Sequence, residues 1–99
     1  MTRPKHTRHD TNQLSMVAIL RSLGMVVWDV ADTGGDVLDL VCHWRGQTRV
    51  VEVKRSGQRD ALTPNEKASI KALKDVDVKA IVAETWRDVV EAWEEESET

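Results

Sequence analysis

The stretch VLDLVCHWRGQTRVVEVK, residues 37–54, decides how the rest of the chain is read. It holds two β-rich runs, 37–44 and 47–54, separated by Arg45-Gly46. Two residues between such runs predict an antiparallel hairpin, although Arg-Gly is not the Asn-Gly pair that the favoured turn prefers. With Arg45 and Gly46 as the turn, facing residues have numbers that sum to 91. Asp39 then comes opposite Glu52, with β-carbons about 4.5–5.5 Å apart. Lys54, two positions on, shares that face. Two carboxylates and an ammonium are thus expected on one patch of sheet, among Leu38, Leu40, Val41, Val50, Val51 and Val53. Adjacent carboxylates in apolar surroundings repel, so one must take a proton or both must find a cation. Hard oxygen ligands select Mg2+ or Mn2+. The plainer alternative is a surface hairpin whose charges face water, with Lys54 paired to Glu52 and nothing more.

Working outward, Met16, Ile19, Leu20 and Leu23 recur at i, i+3, i+4, i+7 and predict a helix from Asp10 to Gly24. Asp10 and Gln13 read as its N-terminal capping pair, and Gly24 as its left-handed stop. Residues 25–30 (MVVWDV) read as a strand and 32–35 (DTGG) as a flexible connection. After the hairpin, 55–61 is a polar loop, and Thr63-Pro64-Asn65-Glu66 announces a second helix to Leu73 or Lys74. Val76, Val78, Ala80 and Val82 alternate with other residues and predict a strand. Thr85 caps a last helix lined by Trp86, Val89, Val90 and Trp93. The order α-β-β-β-α-β-α predicts an α/β fold: a mixed sheet of about four strands flanked by helices, the fourth strand parallel to an earlier one.

Composition bounds the rest. Ninety-nine residues allow one domain, and 40% apolar with 31% charged residues is an ordinary globular mix. We divide the chain into a flexible basic arm (1–9), one domain (10–94) and an acidic tail (95–99). No apolar run approaches about 18 residues and no leader pattern opens the chain, so neither a membrane span nor a signal peptide is expected. The single Cys42 excludes an internal disulfide and fits a reducing cytoplasm. The formal charge of −3 is uneven. Residues 91–99 carry five acids and no base; taking those five from 17 acids leaves 12 against 14 bases, a body of +2. Acidity overall therefore does not exclude a nucleic-acid partner, though it disfavours tight nonspecific binding.

Asp39, the turn and Glu52-Val53-Lys54 together resemble the signature of the PD-(D/E)XK nuclease superfamily, closest to small stand-alone phage and prophage proteins of the VRR-NUC type. The likeness spans about residues 8–93. It takes in His9-Asp10-Thr11-Asn12-Gln13, Leu20-Arg21-Ser22-Leu23-Gly24, Gly34-Gly35, Asp39-Leu40-Val41, Arg45-Gly46 and Leu62-Thr63-Pro64. Four positions depart from it. Leu38 stands where proline is common, Asp36 adds a second acid, Glu66 stands where glutamine often follows, and Gln13 where many members place glutamate.

The resemblance implies a restriction-endonuclease-like core and metal-dependent hydrolysis of DNA phosphodiesters. Asp39, Glu52 and the main-chain carbonyl of Val53 would hold Mg2+, for which Mn2+ substitutes, and Lys54 would orient the attacking water. It further implies a cytoplasmic homodimer, in a bacterial host if phage-encoded, acting on branched DNA such as Holliday junctions, with no nucleotide cofactor. The rival expectation is a catalytically inactive DNA-binding or assembly protein on the same scaffold.

Other features carry two readings each. Arg8, Arg55, Arg59 and Lys67 are candidates for phosphate contacts that position DNA, or else a solvated basic surface. His43 shares the Asp39 face and is a candidate contact to the phosphate or a second metal, or else a solvated side chain. Glu66 is sufficiently explained as the helix's capping glutamate. His6, His9, Cys42 and His43 fit no strong zinc spacing. Trp44 is a candidate for base stacking, or else packs; Trp86 and Trp93 read as core or subunit interface.

Overall fold

Arg45 and Gly46 adopt φ of 53° and 78°, the pair of positive values that a type I′ hairpin turn requires. The computed structural model describes residues 11–30 and 38–97. The elements are α1 (Thr11–Ser22), β1 (Val26–Asp29), β2 (Leu40–Trp44), β3 (Gln47–Val53), α2 (Pro64–Asp75), β4 (Ala80–Ala83) and α3 (Trp86–Ser97). They form an α/β fold around one four-stranded mixed sheet in the order β1-β2-β3-β4. β1/β2 and β2/β3 are antiparallel, and β3/β4 is parallel. The hairpin register is as expected from its turn: Leu40 faces Val51 and Trp44 faces Gln47.

α1 and α3 cover one face of the sheet. Leu40, Cys42, Val51, Ile81 and Ala83 pack there against Met16, Leu20, Val89 and Trp93. Each fully buried Leu, Val or Met among them contributes about 1.5–3 kcal/mol. α2 packs beside β4 on the other face. Toward β1 that second face lies open, with Trp28 64% exposed above a shallow groove lined by Val26, Val41, His43 and Thr48. Among the described residues no helix is long and apolar enough to cross a membrane.

Several boundaries differ from the sequence expectation, each for a local reason. α1 ends at Ser22 and Gly24 takes φ 96°, so Leu23 falls outside the helix and is 43% exposed. The buried stripe of α1 is Gln13, Met16, Val17 and Leu20, which has the expected spacing begun three residues earlier. β4 starts at Ala80, not Val76. Val76 instead closes α2, and Asp77 is left-handed at φ 65°, a turn that interrupts the alternating pattern. β2 starts at Leu40, so Asp39 lies in a bend just before it. α3 continues through Ser97 and takes in residues 95–97 of the expected tail. The basic arm with Arg8, His6 and His9, the cap Asp10, and Gly34, Gly35 and Asp36 lie outside the described residues.

Candidate active site

β3 delivers Glu52 onto the face opposite α1 and α3, and the chain leaves the sheet at Lys54, whose N–H bonds Ala83 O at 2.8 Å. Glu52 is only 6% exposed and Asp39 8%. The two acids meet differently from the expected ladder pair. Because β2 begins at Leu40, Asp39 is not in the ladder; its carbonyl accepts the Val30 N–H at 2.9 Å. Its carboxylate Oδ2 accepts the backbone N–H of Val53 at 2.8 Å. The acid is thus fixed against the peptide that follows Glu52, in place of a cross-strand contact.

Lys54 Nζ lies 3.6 Å from Glu52 Oε2 and 2.9 Å from Glu66 Oε1. Glu66 arrives from the first turn of α2, where it completes a capping box. Its Oε1 accepts the Thr63 N–H at 2.9 Å, and its own N–H donates to Thr63 Oγ1 at 3.1 Å. Glu66 also shares a hydrogen bond with Glu52. The sequence shows Glu66 as a cap; its reach to Lys54 depends on how α2 returns over the sheet, which no local pattern encodes.

This crowding displaces the acids in opposite directions. Burial pushes Glu52 up to about 8, helped by its hydrogen bond with Glu66 and by the charge of Asp39, with Lys54 opposing. Burial alone would raise Glu66, but the hydrogen bonds from Glu52, the Thr63 N–H and Lys54 carry it well below the usual carboxylate range. Burial likewise pulls the Lys54 ammonium down, and its contacts with Glu66 and Glu52 outweigh that, so its net direction is up. Glu52 and Glu66 therefore titrate as a linked pair, Glu52 displaced upward and Glu66 downward.

Backbone atoms around the site are anchored from α1. Asn12 Nδ2 donates to Lys54 O at 3.3 Å and to Glu84 O at 3.1 Å, so one amide joins the exits of β3 and β4. Gln13, 3% exposed, donates to Asp29 Oδ1 at 3.1 Å. It thus ties α1 to the end of β1, an acid the sequence did not single out. Of the remaining candidates, Arg59 is held by Asp88 and lies 4.0 Å from Glu84. Arg55 and Lys67 are exposed. His43 is exposed and its Nδ1 lies 2.8 Å from Thr48 Oγ1. It occupies the second face, but its ladder partner Thr48 is four residues from Glu52, about 13 Å along the strand. The hairpin does not bring it to the acids.

The other candidates resolve into packing. Cys42 is buried and its thiol is pushed up to about 12 by that burial, so it is an inert core residue. Trp44 packs edge-on against Trp93 with ring centres 5.9 Å apart, and its carbonyl accepts Trp93 Nε1–H at 3.1 Å.

The donors suit a hard divalent cation. Asp39, Glu52 and the Val53 carbonyl are all oxygen, and Mg2+ is commonly held by one or two carboxylates with water and substrate phosphate completing its shell. Among the described residues no cluster of three His, Cys, Asp or Glu side chains forms a ready cage. No family model, curated protein or solved structure matches this chain.

Proposed function

We propose that this protein is a Mg2+-dependent DNA endonuclease with a restriction-endonuclease-like core, as its resemblance to PD-(D/E)XK proteins of the VRR-NUC type implies. One observation carries the proposal. Two buried acids, Asp39 and Glu52, crowd the same end of β3 as Lys54, and burial, helped by Glu66 and by the charge of Asp39, pushes Glu52 up to about 8. A buried acid perturbed by desolvation and by charged neighbours is a candidate functional group.

Asp39, Glu52 and the Val53 carbonyl are the groups that would hold Mg2+. When bound, the ion supplies Lewis acidity, lowering the pKa of water and neutralising charge on the phosphate. Asp39 is pinned by the Val53 N–H, so its remaining oxygen has a fixed direction. Lys54 places a compact cation beside Glu52, where it can orient an attacking water and offset charge developing on the phosphodiester. The hydrolysis needs no covalent enzyme intermediate. Branched DNA is the proposed substrate and a homodimer the proposed assembly, since one copy carries one site and cutting two strands takes two.

The rival is a DNA-binding or assembly protein without catalysis on the same scaffold. It is favoured by one observation: the Lys54 ammonium is already engaged by two carboxylates. Labelled four-way junction, flap and duplex DNA, incubated with Mg2+, Mn2+ or a chelator, separate the two. A nuclease cuts only with metal, and Asp39→Ala stops it. A protein that retards intact DNA equally in wild type and Asp39→Ala, and cuts none, is the binder.

A further inference from the structure

Resting on the nuclease reading, we infer that Glu66 is the positioning residue that sets where the Lys54 ammonium stands. Lys54 is gripped at its backbone by two elements: its N–H bonds Ala83 O of β4, and its carbonyl accepts Asn12 Nδ2 of α1. Its long side chain still needs an anchor at the far end. Glu52 does not supply one, because its oxygen is 3.6 Å away, beyond a hydrogen bond. Glu66 does, at 2.9 Å.

The anchor is itself immobilised. The oxygen that meets Lys54 is the one that accepts the Thr63 N–H, so its position is set by the backbone at the start of α2. Sheet, first helix and second helix thereby converge on one amine. A capping box is served equally by glutamate or glutamine. A glutamine carbonyl could still accept from the ammonium, but only the carboxylate pairs it with an opposite charge. The carboxylate at position 66 thus does more than capping requires.

Two halves of the capping box allow the roles to be separated. Thr63→Ala deletes the hydroxyl that caps Glu66 N–H but leaves the Glu66–Lys54 contact. Glu66→Ala deletes both the cap and the contact. Glu66→Gln keeps the cap and leaves a neutral acceptor. The first measurement needs neither metal nor DNA: the Lys54 ammonium signal in the NMR spectrum of 15N-labelled full-length protein, identified by its loss in Lys54→Arg. It is expected to persist in Thr63→Ala and to vanish into solvent exchange in Glu66→Ala.

The second is Mg2+-supported cutting of branched DNA. Glu66→Ala is expected to lower kcat about 10–100-fold with KM little changed, the scale on which a misplaced catalytic group is felt. Thr63→Ala should keep wild-type kcat despite a comparable fall in Tm, and Glu66→Gln should regain the Tm and part of the kcat. Equal kcat losses in Thr63→Ala and Glu66→Ala would reduce Glu66 to a cap and overturn the inference. A Lys54 signal that survives in Glu66→Ala overturns the tether alone. Wild-type protein that cuts no DNA overturns the nuclease reading and, with it, the tether's catalytic purpose.

Discussion

Arg49 and Glu52 both lie in β3, both are buried, and their circumstances are opposite. Arg49, 3% exposed, points to the face covered by α1 and α3. Its guanidinium carbon stands 4.6 Å from the Trp93 ring centre, and Nη1 donates to Gln47 Oε1 at 2.8 Å. Glu52 points the other way and meets Asp39 and Glu66, two more acids, with Lys54 as the nearby cation. Arg49 rests on a ring face and an amide oxygen, with its Nε atom buried and making no hydrogen bond among the described residues. Glu52 instead faces two further acids. Burial is common to both; the sign of the charges nearby sets Glu52 apart.

The largest effect that tests this contrast is on cutting. Asp39→Ala, Glu52→Ala and Lys54→Ala should each lower turnover of branched DNA by about 100–1,000-fold or more, read from initial rates with folding verified by circular dichroism. Arg49→Met should do the reverse. It removes a buried charged hydrogen bond and a ring contact, costing about 2 kcal/mol in urea unfolding, while the folded fraction keeps wild-type turnover. An Arg49 variant that folds normally and fails to cut would erase the distinction between the two charges.

A subtler effect is on pH. Glu52 stands at about 8 in the folded chain against an ordinary 4.5. Its contribution to stability is therefore full below pH 4.5 and is lost as pH rises through 8. Glu66, displaced downward, contributes above its ordinary value and loses that contribution in acid. Metal-free protein should melt lower at pH 8.5 than at pH 5.5 through Glu52, by several degrees or more. Glu52→Gln should flatten that slope, and Mg2+ should raise the pH 8.5 Tm of wild type but not of Glu52→Gln. A Tm independent of pH across this window in wild type means the acids are not in conflict. The smallest effect belongs to the exposed Lys71–Asp75 pair on α2, 3.0 Å apart. Lys71→Ala should cost about 0.3–0.5 kcal/mol in thermal unfolding and leave turnover alone, as solvated helix pairs do.

Much of the fold was legible because local chemistry decided it. Thr63, Pro64 and Glu66 predicted the start of α2, and the capping box is there. The two residues Arg45-Gly46 predicted the hairpin register, even though arginine is an unusual occupant of a left-handed position. Errors arose where one pattern served two purposes. Val76 and Val78 continue a period of two into Ala80, yet Asp77 turns left-handed and the strand waits until the helix has been closed. Leu23 continues the helical spacing after the helix has stopped.

The site was legible in part. The turn brought Asp39 and Glu52 near each other on paper, but the bond from Val53 N–H to Asp39 depends on where β2 begins, which one-residue spacing cannot resolve. Glu66 and Asn12 were out of reach for another reason. Their partners lie across the sheet, and nothing in a helix start announces which amine or carbonyl will come to meet it.

The amide of Asn12 has a consequence for how the protein is made. It grips carbonyls 42 and 72 positions downstream, at Lys54 and Glu84. α1, the hairpin and Lys54 are all in the chain before Glu84 is added. The frame around Lys54 closes only after residue 84 has cleared the exit tunnel. A nascent chain halted before that point would carry every acid of the cluster and still lack the backbone arrangement that aims its lysine.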